Sequence, residues 1–503
     1  MSVQPQVQRD VALSQLLKGL AVLPDACDVR VRGISTDSRS VQSGDLFMAC
    51  CGASVRGHDY VAVVLSAGAA AVVYSSGVAD DAMAALAAAH PATPFIAVES
   101  LEQHSGVVAA RFYAEPSQDL FVVGITGTNG KTSCSHYLSR ALSAVARPCA
   151  VVGTLGYGMP GALHATTHTT PDAVALQGQL AALRDSGAQC VAMEVSSHSL
   201  QQYRVSGVAF DCAVLTNLSH DHLDYHGTMA AYGAAKQRLF ETPGLRFAVV
   251  NSDDPFGQQL AERILPSVRL IRYGLRPSGQ EIVASQIVMS RDGFTCHVHT
   301  PWGDGVLRAP LLGRFNVSNL LAVLAVLLLA EVPLDVALER LAHSEPVAGR
   351  MERFGGGEQP TVVVDFAHTP DALAQSLRVL REHCRGQLWC VFGCGGQRDR
   401  GKRPRMGALA ERYAQQVVIT DDNPRCEDGA QIVAQIVAGF SDPGRAVVIR
   451  DREEAIAYAV GHATAQDVVL VAGKGHEAYQ LVGDEKRPFS DREQVQSLLR
   501  EAA

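Results

Sequence analysis

The sequence predicts an α/β protein of three domains. These are a small N-terminal α/β domain (residues 1–117), a central P-loop ATPase-like parallel sheet with a small antiparallel patch (118–344), and a C-terminal Rossmann-like doubly wound domain (345–503). Three observations carry this. The chain has 503 residues, enough for several separate cores. Apolar runs of strand length alternate with helical patterns through most of it, as in parallel sheets. The segment GITGTNGKTS, residues 124–133, follows one such run directly, where a parallel sheet presents a phosphate-binding loop.

In chain order, the runs at 70–74 and 95–98 read as strands among Ala-rich helical stretches. AEPSQDL at 114–120, with Pro, Ser and Asp, reads as a linker. The central domain has strand runs at 121–124, 190–193, 212–215 and 247–250, and a helix over 133–144 that opens on the glycine-rich loop. The apolar run 320–330 is too short to cross a bilayer and predicts a buried helix. Between Ile282 and Pro310 the residues alternate around Asp292-Gly293 and Gly303-Asp304-Gly305, which predict hairpin turns. In the last domain strands fall at 362–364, 388–392, 416–419, 447–449 and 468–471. Ligands of such sheets bind beyond the carboxyl ends of the strands, where GCGGQRDRGKRP, TDDNPRCED and AGKGHE fall.

Composition excludes several classes. A net charge of −8 argues against a general nucleic-acid binder. The twelve cysteines form no C-x-x-C pair, which suits reduced thiols of the cytosol; Cys50-Cys51 and Cys390 with Cys394 read as small buried hydrophobes. MSVQPQVQRD lacks a basic start followed by an apolar core, so no signal peptide is expected. The expectation is a cytoplasmic protein, a monomer, without a membrane or nucleic-acid partner.

The motifs carry the chemistry. A phosphate cradle needs glycines for close backbone approach, a lysine for the terminal phosphates and a hydroxyl for Mg²⁺. Gly127, Gly130, Lys131 and Thr132 supply these at the start of a helix, whose N-terminus favours anions. The spacing departs from the usual loop, which would need a glycine at Ile125. Glu194 follows a strand, and His220, Asp221, His222, Asp224 and His226 crowd into seven residues. Beside a phosphate loop, carboxylate support for Mg²⁺ is the preferred reading over a transition-metal site. Spacing does not choose among the five.

With MEVSSHSL, NLSHDHLDYHG, AAKQRLF and GRFNVSN following GITGTNGKTS in that order, the chain resembles the Mur ligase family over essentially its whole length. The variant loop spacing is that family's normal form. The resemblance implies cytoplasmic, ATP-dependent amide-forming ligases that build the peptide stem of bacterial cell-wall precursors. It implies ATP contacts at Gly127, Thr128, Asn129, Gly130, Lys131, Thr132, Asn316, Arg350 and Asp365. It implies Mg²⁺ held by Thr132 and Glu194, with a second ion at His222 and Lys236, whose amine carries a CO₂-derived carbamate. Lys131, Glu194, His222 and Lys236 are thus the expected catalytic set. Ser38, Arg39, Gly57 and His58 resemble a uridine-nucleotide site. Thr169, Thr170, Ser196, Gln202 and Arg204 resemble contacts to the muramoyl-dipeptide arm of UDP-N-acetylmuramoyl-L-Ala-D-Glu.

Within the family, Asp422-Asn423-Pro424-Arg425 resembles the loop of members that take meso-2,6-diaminopimelate. That substrate is lysine-like with an extra far carboxylate, which an arginine pairs with bidentately. Lysine would leave the arginine unpaired, at a cost of about 1–3 kcal/mol. Arg398 and Arg425 are the implied clamp, and Asp422, Asn423, Pro424, Gly473 and Glu477 the rest of that site. The alternatives are a lysine-adding member, a folylpolyglutamate-synthase-like ligase, or a P-loop switch or scaffold. Asp422 to Arg425 disfavours the first and the apparent uridine domain the second. A switch has little use for Glu194, His222 and Lys236.

Overall fold

The computed structural model describes residues 9–52, 56–166, 168–277, 279–290 and 292–501. Apart from Arg9 and Asp10, the segment read for a signal peptide lies outside them. The chain forms two compact units, residues 1–272 and 273–503.

The first unit contains a four-stranded parallel sheet, Gly33–Ser35, Asp45–Ala49, Ala71–Ser75 and Phe95–Val98 in that order. Leu101, Val108, Ala109 and Phe112 of the helix Leu101–Phe112 share a core with Leu46, Met48, Ala71 and Val73 of this sheet. The expected linker is a packed 3-10 turn, Pro116–Gln118, with Pro116 and Ser117 buried and the Ser117 hydroxyl accepting from Ala209 N at 3.0 Å. The chain then enters a second sheet. Here Phe121–Thr126 lies between Cys190–Glu194 and Cys212–Leu215, with Cys149–Gly153 and Phe247–Asn251 outside them, all parallel. The short strands Gly156–Met159 and Ala162–His164 extend one edge antiparallel. Val122, Val191, Met193, Ala213, Leu215 and Val250 form its core. Each of these valine, leucine and methionine side chains contributes about 1.5–3 kcal/mol on burial.

Several strands run past the apolar stretches that announce them. The Cys190–Glu194 strand keeps its register through Glu194, opposite Ile125, because the backbone ladder does not need an apolar side chain. The helix after the loop is Lys131–Ser143, two residues earlier than expected, because Lys131 and Thr132 occupy its first turn behind Gly130.

In the second unit, Ile282–Ser290, Gly293–Thr300 and Gly303–Ala309 form an antiparallel sheet. The turn expected at Gly303-Asp304-Gly305 lies instead at Pro301-Trp302, and those three residues pair within a strand. The Thr300 hydroxyl accepts from Trp302 N (3.1 Å) and donates to Gly303 O (2.8 Å), closing the chain before the glycine. The apolar run belongs to the helix Arg314–Leu329, in which Leu320 through Leu329 are all buried. The remaining sheet runs Glu352–Gly355, Thr361–Asp365, Val468–Ala472, Leu388–Phe392, Gln416–Ile419, Ala446–Val448, parallel except for its first strand. Its carboxyl ends therefore place the loops after Asp365, Phe392, Ile419 and Ala472 on one edge.

All twelve cysteines are free, and Cys390 and Cys394 lie in the core. Cys50 and Cys51 are only half-buried, since they leave the strand Asp45–Ala49 for the surface. Among the described residues no helix is long and apolar enough to cross a membrane.

Candidate active site

The phosphate loop is pinned from beneath. Thr128 N donates to Asn217 O (2.9 Å), Asn129 N to Asn217 Oδ1 (3.0 Å), and Thr216 Oγ1 to Asn129 O (2.6 Å). Gly127 has φ +148°, and a Cβ there would meet Thr216 Oγ1 at 1.9 Å, so only glycine fits. Lys131 Nζ donates to the carbonyls of Gly127 (2.8 Å) and Thr128 (2.9 Å), which holds the amine over the loop. One strand away, the carboxylate of Glu194 is buried, 1% exposed. It accepts from Thr132 Oγ1 (2.9 Å), Thr154 N (2.7 Å) and Thr154 Oγ1 (3.2 Å). Hydroxyl and carboxylate oxygens here form a hard donor set of the kind Mg²⁺ prefers.

Lys236, on the helix Met229–Gln237, is 1% exposed. Its amine lies 4.5 Å from the Tyr232 ring centroid and, among the described residues, makes no hydrogen bond or ion pair. Burial first, and the Lys131 ammonium second, push this amine well below its ordinary range. Tyr232 also touches a histidine cluster. His222 and His226 lie 6.1 and 5.1 Å from it, and His198 lies 4.9 Å from His222, 5.4 Å from His226 and 4.2 Å from Tyr225, between ring centroids. His198 is pushed down to about 4 by burial, then by His222 and His226. His226 is buried against Ser197 Oγ (2.9 Å), whereas His220 and Asp224 are exposed. His222 is half exposed, at φ +54°. Among the described residues no three His, Cys, Asp or Glu side chains converge as a metal-binding group.

The residues expected on the dipeptide arm gather around Glu194. Thr169 Oγ1 lies 3.1 Å from Thr154 Oγ1, and Thr170 Oγ1 donates to Glu194 O (2.9 Å). Arg204 donates to Thr170 O (3.1 Å) and Gln202 Oε1 (2.6 Å), and Gln202 Nε2 to Tyr225 Oη (3.0 Å). Ser196 caps the helix Ser197–Gln201. The expected uridine residues are on the other sheet of this unit. Ser38 is half-buried, Arg39 is exposed and paired with Asp37, Gly57 is buried, and His58 Nδ1 lies 3.8 Å from Cys51 Sγ.

In the second unit, several expected ligands are already committed. Asn316 Nδ2 donates to Leu312 O (2.9 Å). Asp365 accepts from Ser376 Oγ (2.6 Å), Phe366 N (3.0 Å) and Met351 N (3.2 Å), bracing the turn that carries Arg350. The Arg350 guanidinium lies 4.6 Å from the Phe366 ring centroid.

The loops after Phe392, Ile419 and Ala472 hold the other expected group. Arg425 has φ +52°. The hairpin Tyr479–Val482/Glu485–Pro488 holds it there, through Arg425 N to Leu481 O (3.0 Å) and Gly483 N to Arg425 O (2.8 Å). Arg425 Nη1 donates to Gly396 O (2.7 Å), and Arg398 is exposed on that loop. Asp422 Oδ1 accepts from Asn423 N (2.7 Å). A Cβ on Gly473 would meet the other Asp422 oxygen at 2.6 Å. Asn423 Nδ2 donates to Glu477 Oε2 (2.9 Å). Guanidinium and carboxylates thus share one edge, a pairing suited to the two charges of an amino-acid head.

Three family models match successive parts of the chain: Mur ligase family, catalytic domain (residues 30–113), Mur ligase middle domain (125–327), and Mur ligase, glutamate ligase domain (349–475). A Coxiella burnetii protein named UDP-N-acetylmuramoyl-L-alanyl-D-glutamate–2,6-diaminopimelate ligase is 48% identical over 97% of this chain and 99% of its own. The chain belongs to the Mur ligase family. A Pseudomonas aeruginosa relative of the same name is 49% identical over 94% of this chain and 96% of its own. A solved structure under that name aligns with 98% of this Mur ligase and 99% of its own chain, at 35% identity and a TM-score of 0.72. A MurF ligase from Thermotoga maritima in complex with ADP shares the fold, at 19% identity over 95% and 99% of the two chains and a TM-score of 0.60.

Sequence reasoning on this Mur ligase missed Thr154, His198 and Lys474. His198 stands four residues after Glu194 in the same motif, a signal that was available. Thr154 follows a plain apolar strand, and nothing in its neighbourhood marks it. A Cβ on Gly153 would meet Glu194 Oε1 at 2.2 Å, whereas one on Gly461 meets nothing within 4 Å. Gly153→Ala therefore displaces the carboxylate and lowers kcat about 100-fold, comparable to losing one preorganised polar contact. Gly461→Ala, within the helix Arg452–His462, leaves kcat unchanged and raises stability by about 1 kcal/mol. Steady-state kinetics and thermal unfolding of both variants check this.

Proposed function

We propose that this Mur ligase joins meso-2,6-diaminopimelate to the D-glutamate carboxylate of UDP-N-acetylmuramoyl-L-alanyl-D-glutamate, turning ATP into ADP and phosphate, in the synthesis of peptidoglycan precursors. One observation carries the reading: Arg425 stands in an Asp-Asn-Pro-Arg loop, in a chain 48% identical over its length to a relative named for that reaction. We assign residues 1–117 to the uridine nucleotide, 118–344 to ATP and 345–503 to the amino acid, in a cytoplasmic monomer.

A free carboxylate does not yield an amide, since oxide is too poor a leaving group. The D-glutamate oxygen attacks the γ-phosphorus of ATP, the bond to ADP breaks, and an acyl phosphate forms. The neutral amine of diaminopimelate then attacks the acyl carbon. The tetrahedral intermediate expels phosphate, and the nitrogen releases its proton. Lys131 and the loop amides carry the transferring phosphoryl group, chiefly by position and charge. Arg204 with Thr169 and Thr170 orients the arm that bears the carboxylate. Arg425, with Arg398 beside it, pairs with the far carboxylate of the incoming amino acid.

The oxygen donors of Thr132 and Glu194 fit Mg²⁺, which when bound offsets charge on the phosphate oxygens. Lys236 fits a second ion beside His222 only if its charge is inverted. A buried amine that makes no hydrogen bond or ion pair among the described residues, and that burial and Lys131 push downward more than Asp221 holds it up, favours the neutral form, the form that adds CO₂. A carbamate there turns a repelling cation into a carboxylate-like ligand.

Two measurements test these readings. Phosphate release should require ATP, the UDP-muramoyl dipeptide and diaminopimelate together. With L-lysine, kcat/KM should fall by at least about 10-fold, the worth of one unpaired charged group. Release without the amino acid, or turnover with lysine alone, contradicts the assignment. With ¹³C-bicarbonate, active enzyme should show a carbamate carbonyl resonance that Lys236→Ala lacks, and an active enzyme without that resonance rules the modification out.

A further inference from the structure

We propose that Lys474 is a positioning residue of the amino-acid subsite, and that it aims Glu477 at the ammonium on the far head of the acceptor. The inference deepens the reading above and rests on its assignment of diaminopimelate to the second unit.

Lys474 lies in the turn after the strand Val468–Ala472 and is 0% exposed. Its Nζ donates to Glu477 Oε2 (2.9 Å) and Asn423 Oδ1 (3.1 Å). Asn423 Nδ2 donates to the same Glu477 oxygen (2.9 Å), and Leu481 N to Asn423 Oδ1 (2.9 Å). Ammonium, amide and carboxylate thus close a triangle with the ammonium innermost.

An ammonium stripped of water is costly, and it needs partners that are held in place. Here the partners come from two loops whose strands are not neighbours, because Leu388–Phe392 runs between Val468–Ala472 and Gln416–Ile419. A long side chain with several donors spans that gap. Both bonds to Glu477 fall on Oε2, and among the described residues Oε1 accepts none. The Glu477 side chain is 21% exposed, so the free oxygen belongs to the outward end of the triangle. The second oxygen of Asp422, over Gly473, also accepts no hydrogen bond among the described residues. Asp422 and Glu477 offer negative charge to the ammonium of a zwitterionic head, Arg425 with Arg398 beside it offers positive charge to its carboxylate, and Lys474 offsets charge inside the triangle. Without Lys474, Glu477 Oε2 keeps only its bond from Asn423, and the carboxylate gains freedom to turn away.

The test compares diaminopimelate with 2-aminopimelate, which lacks only the far amino group. Wild-type enzyme should prefer diaminopimelate about 10- to 100-fold in kcat/KM, the range of one charge-assisted hydrogen bond. In Lys474→Met that preference should fall to within about threefold, the low end of what a single neutral hydrogen bond confers. KM for diaminopimelate should rise, while KM for ATP and for the UDP-muramoyl dipeptide hold. A purely structural lysine would lower active enzyme or stability and keep the preference, which overturns the proposal. Wild-type enzyme that uses both amino acids equally also overturns it. If Lys474→Met does not fold, Lys474→Gln, which keeps an N–H donor, takes its place, with a reduced preference expected and an unchanged one contradicting. Wild-type enzyme that rejects diaminopimelate altogether sinks the parent reading instead.

Discussion

The carboxylate of Glu194 ends a strand in the middle of the first unit's second sheet, almost wholly out of water, and is held by the first-turn hydroxyl of the phosphate-loop helix and by the backbone of Thr154. A buried carboxylate is costly unless hydrogen-bonded, so its donors fix one another as much as they fix it. Thr132 is thereby oriented, Thr170 is tied to the backbone of Glu194, and Arg204 to Thr170. The loop above is pinned separately, by Thr216 and Asn217 from the neighbouring strand end. The phosphate loop and the residues gathered around Glu194 therefore depend on adjacent strand ends of one parallel sheet.

The second unit solves a different problem with similar means. Its Asp-Asn-Pro-Arg loop carries Arg425 in a left-handed conformation that an arginine does not adopt cheaply. A hairpin of otherwise plain sequence bonds the Arg425 backbone on both sides. Behind the loops stand buried cations. Arg403 joins Glu427 to Gly395 O, and Arg452 joins Asp491 to Ala472 O. These charges rigidify polar loops that have no apolar core of their own.

Much of this was legible in the sequence, for physical reasons. Strand runs such as Leu388–Phe392 are buried on both faces and need continuous apolar residues, so they stand out. The loop ending in Gly130, Lys131 and Thr132 carries its chemistry in residue type. Burial of Lys236 was not legible from its neighbours, because it depends on what covers the helix. Gly233 admits Phe256 and Leu218 against that face, and neither is near in sequence. The hairpin at 479–488 escaped notice because none of its residues is buried, so its sequence has no apolar alternation to show. Lys474 reads as a loop lysine until the triangle with Asn423 and Glu477 is seen. Asp365 and Asn316 look like free polar groups in sequence, yet bonds to their own unit occupy them.

The central claim is that the phosphate loop serves to activate a carboxylate through a covalent acyl phosphate. Oxygen transfer tests this most directly. With ¹⁸O in the side carboxylate of the D-glutamate residue and unlabelled ATP, each turnover should place one ¹⁸O in the released phosphate, read by mass or by the ³¹P shift. Phosphate released without the label, while the amide product forms, would mean that the carboxylate oxygen never reached phosphorus, and would contradict the account.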